Sequence, residues 1–83
     1  MKLYRDYPSI DLHGIDRDYA KILVRDFIED QFFLKEEYIL IIHGIGMGIV
    51  KKAVHEELKK NKKVKEFKID NFNPGCTIVK LNK

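Results

Sequence analysis

Two short segments contain the residues whose types and spacing best suit chemistry. They are Asp11-Leu12-His13-Gly14 and His43-Gly44-Ile45-Gly46-Met47-Gly48. In the first, a carboxylate lies two residues from an imidazole that it could orient or polarise, and imidazole titrates near neutral pH, as a general acid or base should. The same two side chains could instead hold a metal ion, or His13 could be a capped histidine at a strand end. The residues alone leave these three roles open.

The second segment lacks the side chains that usually cap a helix. Residues 44–48 include three glycines but no Ser, Thr, Asp or Asn, so the helix predicted after them begins with unpaired backbone amides. Such amides, at the positive end of the helix dipole, suit an anion, and glycines allow it to approach closely. Lys51 and Lys52 add positive charge, which makes phosphate the expected ligand. The alternative is a tight turn that needs glycine only for its backbone conformation.

The hydrophobic pattern predicts one α/β domain that carries these two segments. The first helix should begin after Asp16, a good N-cap, and end at residue 32 or 33, with its aromatic residues in the core. The second helix should follow the glycine loop and end at residues 61–63. The order is therefore β-α-β-α-β-β, with strands predicted over residues 9–13, 38–43, 64–70 and 76–81. The domain is expected to cover residues 1–83, with a core over about 9–81 and an N-terminal arm over 1–8.

Both segments fall where a strand is followed by a helix. Alternation along the first strand puts Asp11 and His13 on the same face of the sheet. If the first two strands are parallel, His13 and His43 lie at the same edge of the sheet, where open α/β sheets bind their ligands. The second strand is apolar on both faces, so its outer face needs a cover, either the arm containing Leu3, Tyr4 and Tyr7 or a partner molecule.

Composition limits the classes of function. One cysteine, Cys76, excludes an internal disulfide and a cysteine-based zinc site, and it is expected to be a small buried hydrophobic residue. No apolar run is long enough to cross a bilayer and the first residues do not resemble a signal peptide, so a soluble cytoplasmic protein without a membrane partner is expected.

Charge is distributed unevenly along the chain. Residues 1–50 carry six Lys and Arg against nine Asp and Glu, a net charge of −3, whereas residues 51–83 carry ten Lys against four Asp and Glu, a net charge of +6. A basic region of this kind can bind a nucleic-acid backbone. Taken alone, these lysines more simply keep an exposed helix and loop in solution. His55, in this region, is expected to be a surface residue.

Three motifs in order resemble the Smr (small MutS-related) domain family over about residues 9–81. They are Asp-Leu-His-Gly after the first strand, Ile-Ile-His-Gly-x-Gly-x-Gly before the second helix, and Gly75-x-Thr77-x-Val79 in the last strand. The resemblance implies a two-layer α/β sandwich with a four-stranded mixed sheet, similar to the C-terminal domain of a bacterial translation initiation factor. The sequence departs from the family at Ile45, where Lys or Arg is common, and at Asn73-Pro74-Gly75, where a more glycine-rich run is usual.

What the resemblance implies is a nucleic-acid endonuclease that nicks DNA or cleaves RNA, including messenger RNA on stalled ribosomes. The expected catalytic residues are Asp11, His13 and His43. The expected phosphate- or nucleic-acid-binding residues are Gly44, Gly46, Gly48, Lys51, Lys52 and Thr77. The need for a divalent metal ion, the choice between DNA and RNA, and the oligomeric state stay open. The alternatives are a non-catalytic DNA- or RNA-binding adaptor and, third, a site for a small phosphorylated metabolite.

Overall fold

The computed structural model describes residues 6–83, which form four strands and two helices in the predicted order β-α-β-α-β-β. The strands are β1 (Ser9–Asp11), β2 (Tyr38–Ile42), β3 (Val64–Ile69) and β4 (Cys76–Leu81), and the helices are α1 (Arg17–Phe33) and α2 (Ile49–Lys60). Within residues 6–83, neither helix combines the length and apolar character needed to cross a bilayer.

The strands form one mixed sheet in the order β1-β2-β4-β3. Strand β1 is parallel to β2, with Asp11 opposite Ile42. Strand β4 is antiparallel to both neighbours, and Cys76 at its start lies opposite Ile42. The ends of β1, β2 and β3 and the start of β4 therefore lie together at one edge of the sheet, here called the active edge.

The two helices pack side by side on one face of the sheet. Alternate residues of the two central strands, Ile39 and Ile41 in β2 and Val79 and Leu81 in β4, form the sheet's side of the core. The helices contribute five fully buried residues, Ala20, Val24, Ile28, Val54 and Leu58. The α1 residues recur at intervals of four, so they form a single apolar stripe along the helix. The predicted two-layer α/β sandwich with a four-stranded mixed sheet is confirmed.

The aromatic residues of α1 were expected in the core, and this is only half right. Phe27 and Phe32 pack against the core. Phe33 is 82% exposed and Tyr19 is 54% exposed. Both lie off the buried stripe, because the stripe follows the helical repeat and not the residue type.

The strand boundaries also differ from the prediction at the active edge. Strand β1 ends at Asp11, two residues early, because a turn closed by a bond from the Ile15 N–H to the Leu12 carbonyl (3.0 Å) takes over there. Strand β2 ends at Ile42, so His43 already belongs to the loop.

On the other face of the sheet, the ring of Tyr7 stacks on that of Tyr38, with their centroids 5.3 Å apart. Part of the predicted arm therefore does cover β2. The other two arm residues, Leu3 and Tyr4, lie outside the described residues.

Candidate functional site

A hydrogen-bonded pair of side chains, Asp11 and His13, lies at the active edge just after β1. The His13 ring Nδ1 is 2.5 Å from Asp11 Oδ1, and the His13 backbone N–H donates to the same oxygen at 3.1 Å. These residues were expected to meet by alternation along a strand. They meet instead in a turn that follows the strand, because the Asp11 carboxylate caps the backbone of His13.

The pair is accessible and polarised. The side chains are 71% exposed at His13 and 52% exposed at Asp11, so a substrate can reach both. The hydrogen bonds from the ring and backbone of His13 lower the pKa of the Asp11 carboxyl below its usual value. Asp11 is therefore ionised at neutral pH and accepts a hydrogen bond from His13 Nδ1–H. In neutral His13 this leaves the lone pair on Nε2, the nitrogen on the far side of the ring.

The glycine loop ends as the sequence predicted, with an uncapped helix. Gly48 is the N-cap of α2 in a left-handed conformation (φ +77°), and no side chain caps the helix. In α1, by contrast, Asp16 accepts hydrogen bonds from the amides of Asp18 and Tyr19. The backbone amides of residues 45–48 donate no hydrogen bond to any group within residues 6–83. Free amides at the start of α2 can therefore bind an anion.

Close backbone contacts hold the loop against the Asp11–His13 pair. A Cβ atom added at Gly44 would lie 3.0 Å from His13 Cβ. A Cβ atom added at Gly75 would lie 3.2 Å from the carbonyl carbon of Gly44. The Gly75 carbonyl accepts hydrogen bonds from the amides of His43 and Gly44, both at 2.9 Å. Glycine at these two positions therefore lets the three motifs come together.

His43 lies beneath the glycine loop and is nearly inaccessible to solvent. The residue is 3% exposed, and both nitrogens of its ring have protein partners. Nδ1 is 3.0 Å from the Gly44 carbonyl oxygen, and Nε2 is 2.8 Å from the hydroxyl of Thr77. Thr77 is fully buried, so neither residue reaches solvent in this arrangement.

The structure corrects the expectation that His55 is a surface residue. Its ring is partly buried, and its Nε2 lies 2.8 Å from the same Thr77 hydroxyl that contacts His43. The ring also packs on Phe67, with centroids 5.0 Å apart, and meets the edge of His43 at 5.8 Å. One sequence signal could have found this contact. Thr77 occupies an inward position of a core strand, and a buried hydroxyl needs a hydrogen-bond partner.

Burial and nearby positive charge keep both of these histidines neutral. Burial is the main cause that lowers the pKa of His43, and Lys51 lowers it further. Burial also lowers the pKa of His55, with smaller contributions from His43, Lys51 and Lys59. Near pH 7 the two rings are therefore uncharged. A site that stabilised a protonated, proton-donating ring would not need these lowered pKa values.

An open cleft of about 450 Å³ runs over the glycine loop, lined by His13, Gly14, residues 43–45 and residues 47–51. A second depression along α2 is lined by Gly48, His55 and Glu56 together with Lys51, Lys52 and Lys59. Among the described residues, these three lysines form no ion pair. Two other lysines of the basic half are engaged elsewhere, Lys63 with Glu29 (3.1 Å) and Lys80 with Glu37 (3.9 Å). Three unpaired lysines therefore lie in the depression that begins beside the loop and continues along α2.

Residues 6–83 contain no group of three or more His, Cys, Asp or Glu side chains that could hold a metal ion. Cys76 is buried, as expected.

Comparison with known proteins agrees with the motifs. The family model described as "Smr domain" matches residues 10–82. The chain is 31% identical over 70 residues to "Endonuclease MutS2" of Clostridium perfringens, and 32% identical over 78 residues to the protein of that name from Caldanaerobacter subterraneus. These alignments cover 84% and 90% of this chain but 9% and 10% of the relatives. The chain thus spans about a tenth of their length.

Two crystal structures have the same fold. The Smr domain of Thermus thermophilus MutS2 superposes with a TM-score of 0.88 and 26% identity, covering 92% of this chain and 99% of that one. YdaL, a stand-alone small MutS-related protein from Escherichia coli, superposes with a TM-score of 0.87 and 25% identity, covering 93% of this chain and 68% of that one.

Proposed function

This chain belongs to the Smr domain family, and from that premise we propose that it is a nucleic-acid endonuclease that cuts a phosphodiester bond at the active edge. The observation that carries the proposal is the contact between Gly44 and His13. It places an accessible carboxylate–imidazole pair directly beside a loop whose amides are free to bind a phosphate. Catalysis of this kind needs a proton-transfer group next to a phosphate site.

In the proposed mechanism, His13 transfers the proton. The ionised Asp11 holds Nδ1–H of the ring, so Nε2 of neutral His13 can act as a general base toward the attacking oxygen. The protonated ring can then act as a general acid toward the leaving oxygen. Asp11 stabilises the imidazolium that forms between these steps.

The glycine loop and α2 bind the phosphates. Free amides of residues 45–48 contact the phosphate to be cut, and the positive end of the α2 dipole stabilises its charge. Lys51 and Lys52 bind neighbouring phosphates of the chain. Both ring nitrogens of His43 are already hydrogen-bonded, so we give this residue the role of shaping the loop instead of donating a proton.

The second candidate function is a non-catalytic adaptor that binds DNA or RNA. The observation that favours it is the row of unpaired lysines, Lys51, Lys52 and Lys59, which extends along α2 beyond the cleft. Such a row suits a polymer more than a small phosphorylated metabolite, because it offers charge outside the pocket for a single phosphate.

Substitution of the exposed pair distinguishes enzyme from adaptor. Asp11→Asn keeps the size of the side chain but removes the charge that orients the ring, and His13→Ala removes the proton-transfer group. Each should lower cleavage about 10²–10⁴-fold, the usual contribution of general acid–base catalysis, while binding changes little. Asp30→Asn, an exposed carboxylate near the end of α1, is the matched control.

The assay incubates supercoiled plasmid and single-stranded RNA with each protein, with and without a chelator, and measures binding in parallel. A wild-type protein that binds but cuts neither substrate would establish the adaptor. Cleavage by Asp11→Asn and His13→Ala at the wild-type rate would remove this pair from the mechanism. Loss of cleavage on adding the chelator would show that a divalent ion takes part.

A further inference from the structure

We propose that Thr77 and His55 are positioning residues, which act through His43 to turn the peptide after Gly44 so that the Ile45 amide faces the bound phosphate. The proposal rests on the proposed phosphate site and explains how that site is shaped. It gives a function to a buried hydroxyl and a partly buried imidazole, neither of which is assigned a contact with the substrate.

The hydrogen atoms in this cluster can be placed by chemistry alone. The Gly44 carbonyl only accepts, so the ring nitrogen facing it, His43 Nδ1, must carry a hydrogen. In the neutral ring, Nε2 then has the lone pair and accepts from the Thr77 hydroxyl. Because that hydrogen is used, the Thr77 oxygen must accept from His55, whose Nε2 therefore carries the hydrogen. The chain of donors runs from His55 to Thr77 to His43 to Gly44, and the two histidines hold opposite tautomers.

The last bond in this chain fixes a peptide plane. In a trans peptide the C=O and the following N–H point in opposite directions. When His43 holds the Gly44 oxygen, the Ile45 N–H must point away from the His43 ring, toward the outer side of the loop. If the plane turned over, the Gly44 oxygen would face the phosphate and repel it. The cleft beside it is lined by Gly44 and Ile45, where this amide would meet an anion.

The surroundings favour this single arrangement. Thr77 is fully buried, so no solvent can replace a lost partner. His55 is held by its packing on Phe67, and the groups that face the two rings are the positive charges of Lys51 and Lys59. Positive neighbours disfavour the imidazolium form, which preserves the neutral tautomers on which the order of donors depends.

The test begins with the protein alone. In ¹⁵N-labelled wild type, imidazole NMR correlations should show His43 protonated on Nδ1 and His55 protonated on Nε2 at pH 7.5. Inorganic phosphate is then titrated, and the shift of the Ile45 amide gives the affinity of the loop. Four variants are compared, Thr77→Val, Thr77→Ser, His55→Phe and His55→Gln.

The conservative variants separate positioning from general damage to the fold. Thr77→Val keeps the shape but removes the hydroxyl, and it should weaken phosphate binding at the Ile45 amide roughly tenfold, which one hydrogen bond to a charged group can supply. Thr77→Ser restores the hydroxyl and should restore the affinity to within about threefold. His55→Phe keeps an aromatic ring at this position but removes the N–H donor, and it should lower the phosphate affinity several-fold. His55→Gln has a side-chain N–H that can donate to Thr77, so it should recover most of that affinity. If Thr77→Val does not fold, the His55 variants decide alone.

The proposal is overturned by any of three results. The first is a His43 ring protonated on Nε2 in the wild type. The second is an Ile45 amide signal that does not shift when phosphate is added to the wild type. The third is phosphate binding by Thr77→Val and His55→Phe as tight as that of the wild type. Failure of the proposed function would appear differently, as a wild type that binds phosphate at Ile45 but neither binds nor cuts nucleic acid.

Discussion

The contact between Gly44 and His13 can be tested by adding one carbon atom. Gly44 has a left-handed backbone (φ +83°), and a Cβ atom at this position would lie 3.0 Å from His13 Cβ. Gly48 provides a matched control, because it has nearly the same backbone angle (φ +77°) but no atom within 4 Å of an added Cβ. Gly48→Ala therefore reports the conformational cost alone, and Gly44→Ala reports that cost together with the contact.

The expected magnitudes follow from these two terms. A left-handed conformation costs an alanine about 1–2 kcal/mol, which applies to both variants. Overpacking at a tight contact adds about 1–3 kcal/mol in Gly44→Ala. A folded chain of 83 residues has about 4–12 kcal/mol of stability in total, and each 1 kcal/mol lowers its Tm by about 4–8 °C. Gly48→Ala should thus melt about 4–16 °C below the wild type, and Gly44→Ala should melt lower still, by about another 4–24 °C.

Thermal unfolding followed by circular dichroism measures the difference in stability, and the NMR signals of the His13 ring measure its displacement. At a temperature where both variants are folded, only Gly44→Ala should shift these signals and reduce cleavage further than its control does. Equal melting temperatures for the two variants, with unchanged His13 signals in both, would refute the claim that the loop packs against the Asp11–His13 pair.

Two further predictions concern charge. Replacing Lys51 and Lys52 with Ala should reduce the magnitude of the slope of log affinity against log salt for nucleic acid by about 1–2, because each lost phosphate contact means about one counterion fewer released on binding. The same replacement of the ion-paired Lys63 and Lys80 should leave the slope unchanged. Folding lowers the pKa of His43 and His55 below the usual 6.5, so the unfolded chain binds more protons between the folded and unfolded pKa values. The urea midpoint should therefore fall as pH decreases through about 6.5, level off below the folded pKa values and stay constant above about pH 7.5. A midpoint that rises on acidification over this range would contradict the neutral state of the two rings.

The fold could be predicted from sequence because its signals are local. Apolar periodicity located both helices, the Asp16 cap marked the start of α1, and turn residues marked the start of β4 at Cys76. The strand ends at the active edge were predicted one or two residues too long, because a local turn after β1 and hydrogen bonds from the loop after β2 to Gly75 replace the strand pattern there. Alternation could not show that the Asp11 carboxylate would cap the His13 backbone.

The site could be predicted only in part, because its internal contacts connect distant segments. The missing cap of α2 is a local property, and the structure has it. The contact of His55 with Thr77 spans 22 residues and depends on the register of β4 beneath α2. The burial of Glu57, which pairs with Arg25 on α1 at 3.0 Å, was missed for the same reason, since a helix pattern does not reveal which charge faces the neighbouring helix.

The two histidine–glycine segments look alike in sequence but their surroundings give them opposite properties. His13 is held by one carboxylate, exposed to solvent, and keeps one nitrogen available. His43 is buried, uncharged, and uses both nitrogens within the protein. A group that exchanges protons with a substrate must be accessible, whereas a group that sets the shape of a loop must be immobile, so one histidine cannot serve both needs. The glycine that follows His43 packs against His13, and this contact is what makes the two histidines parts of one site.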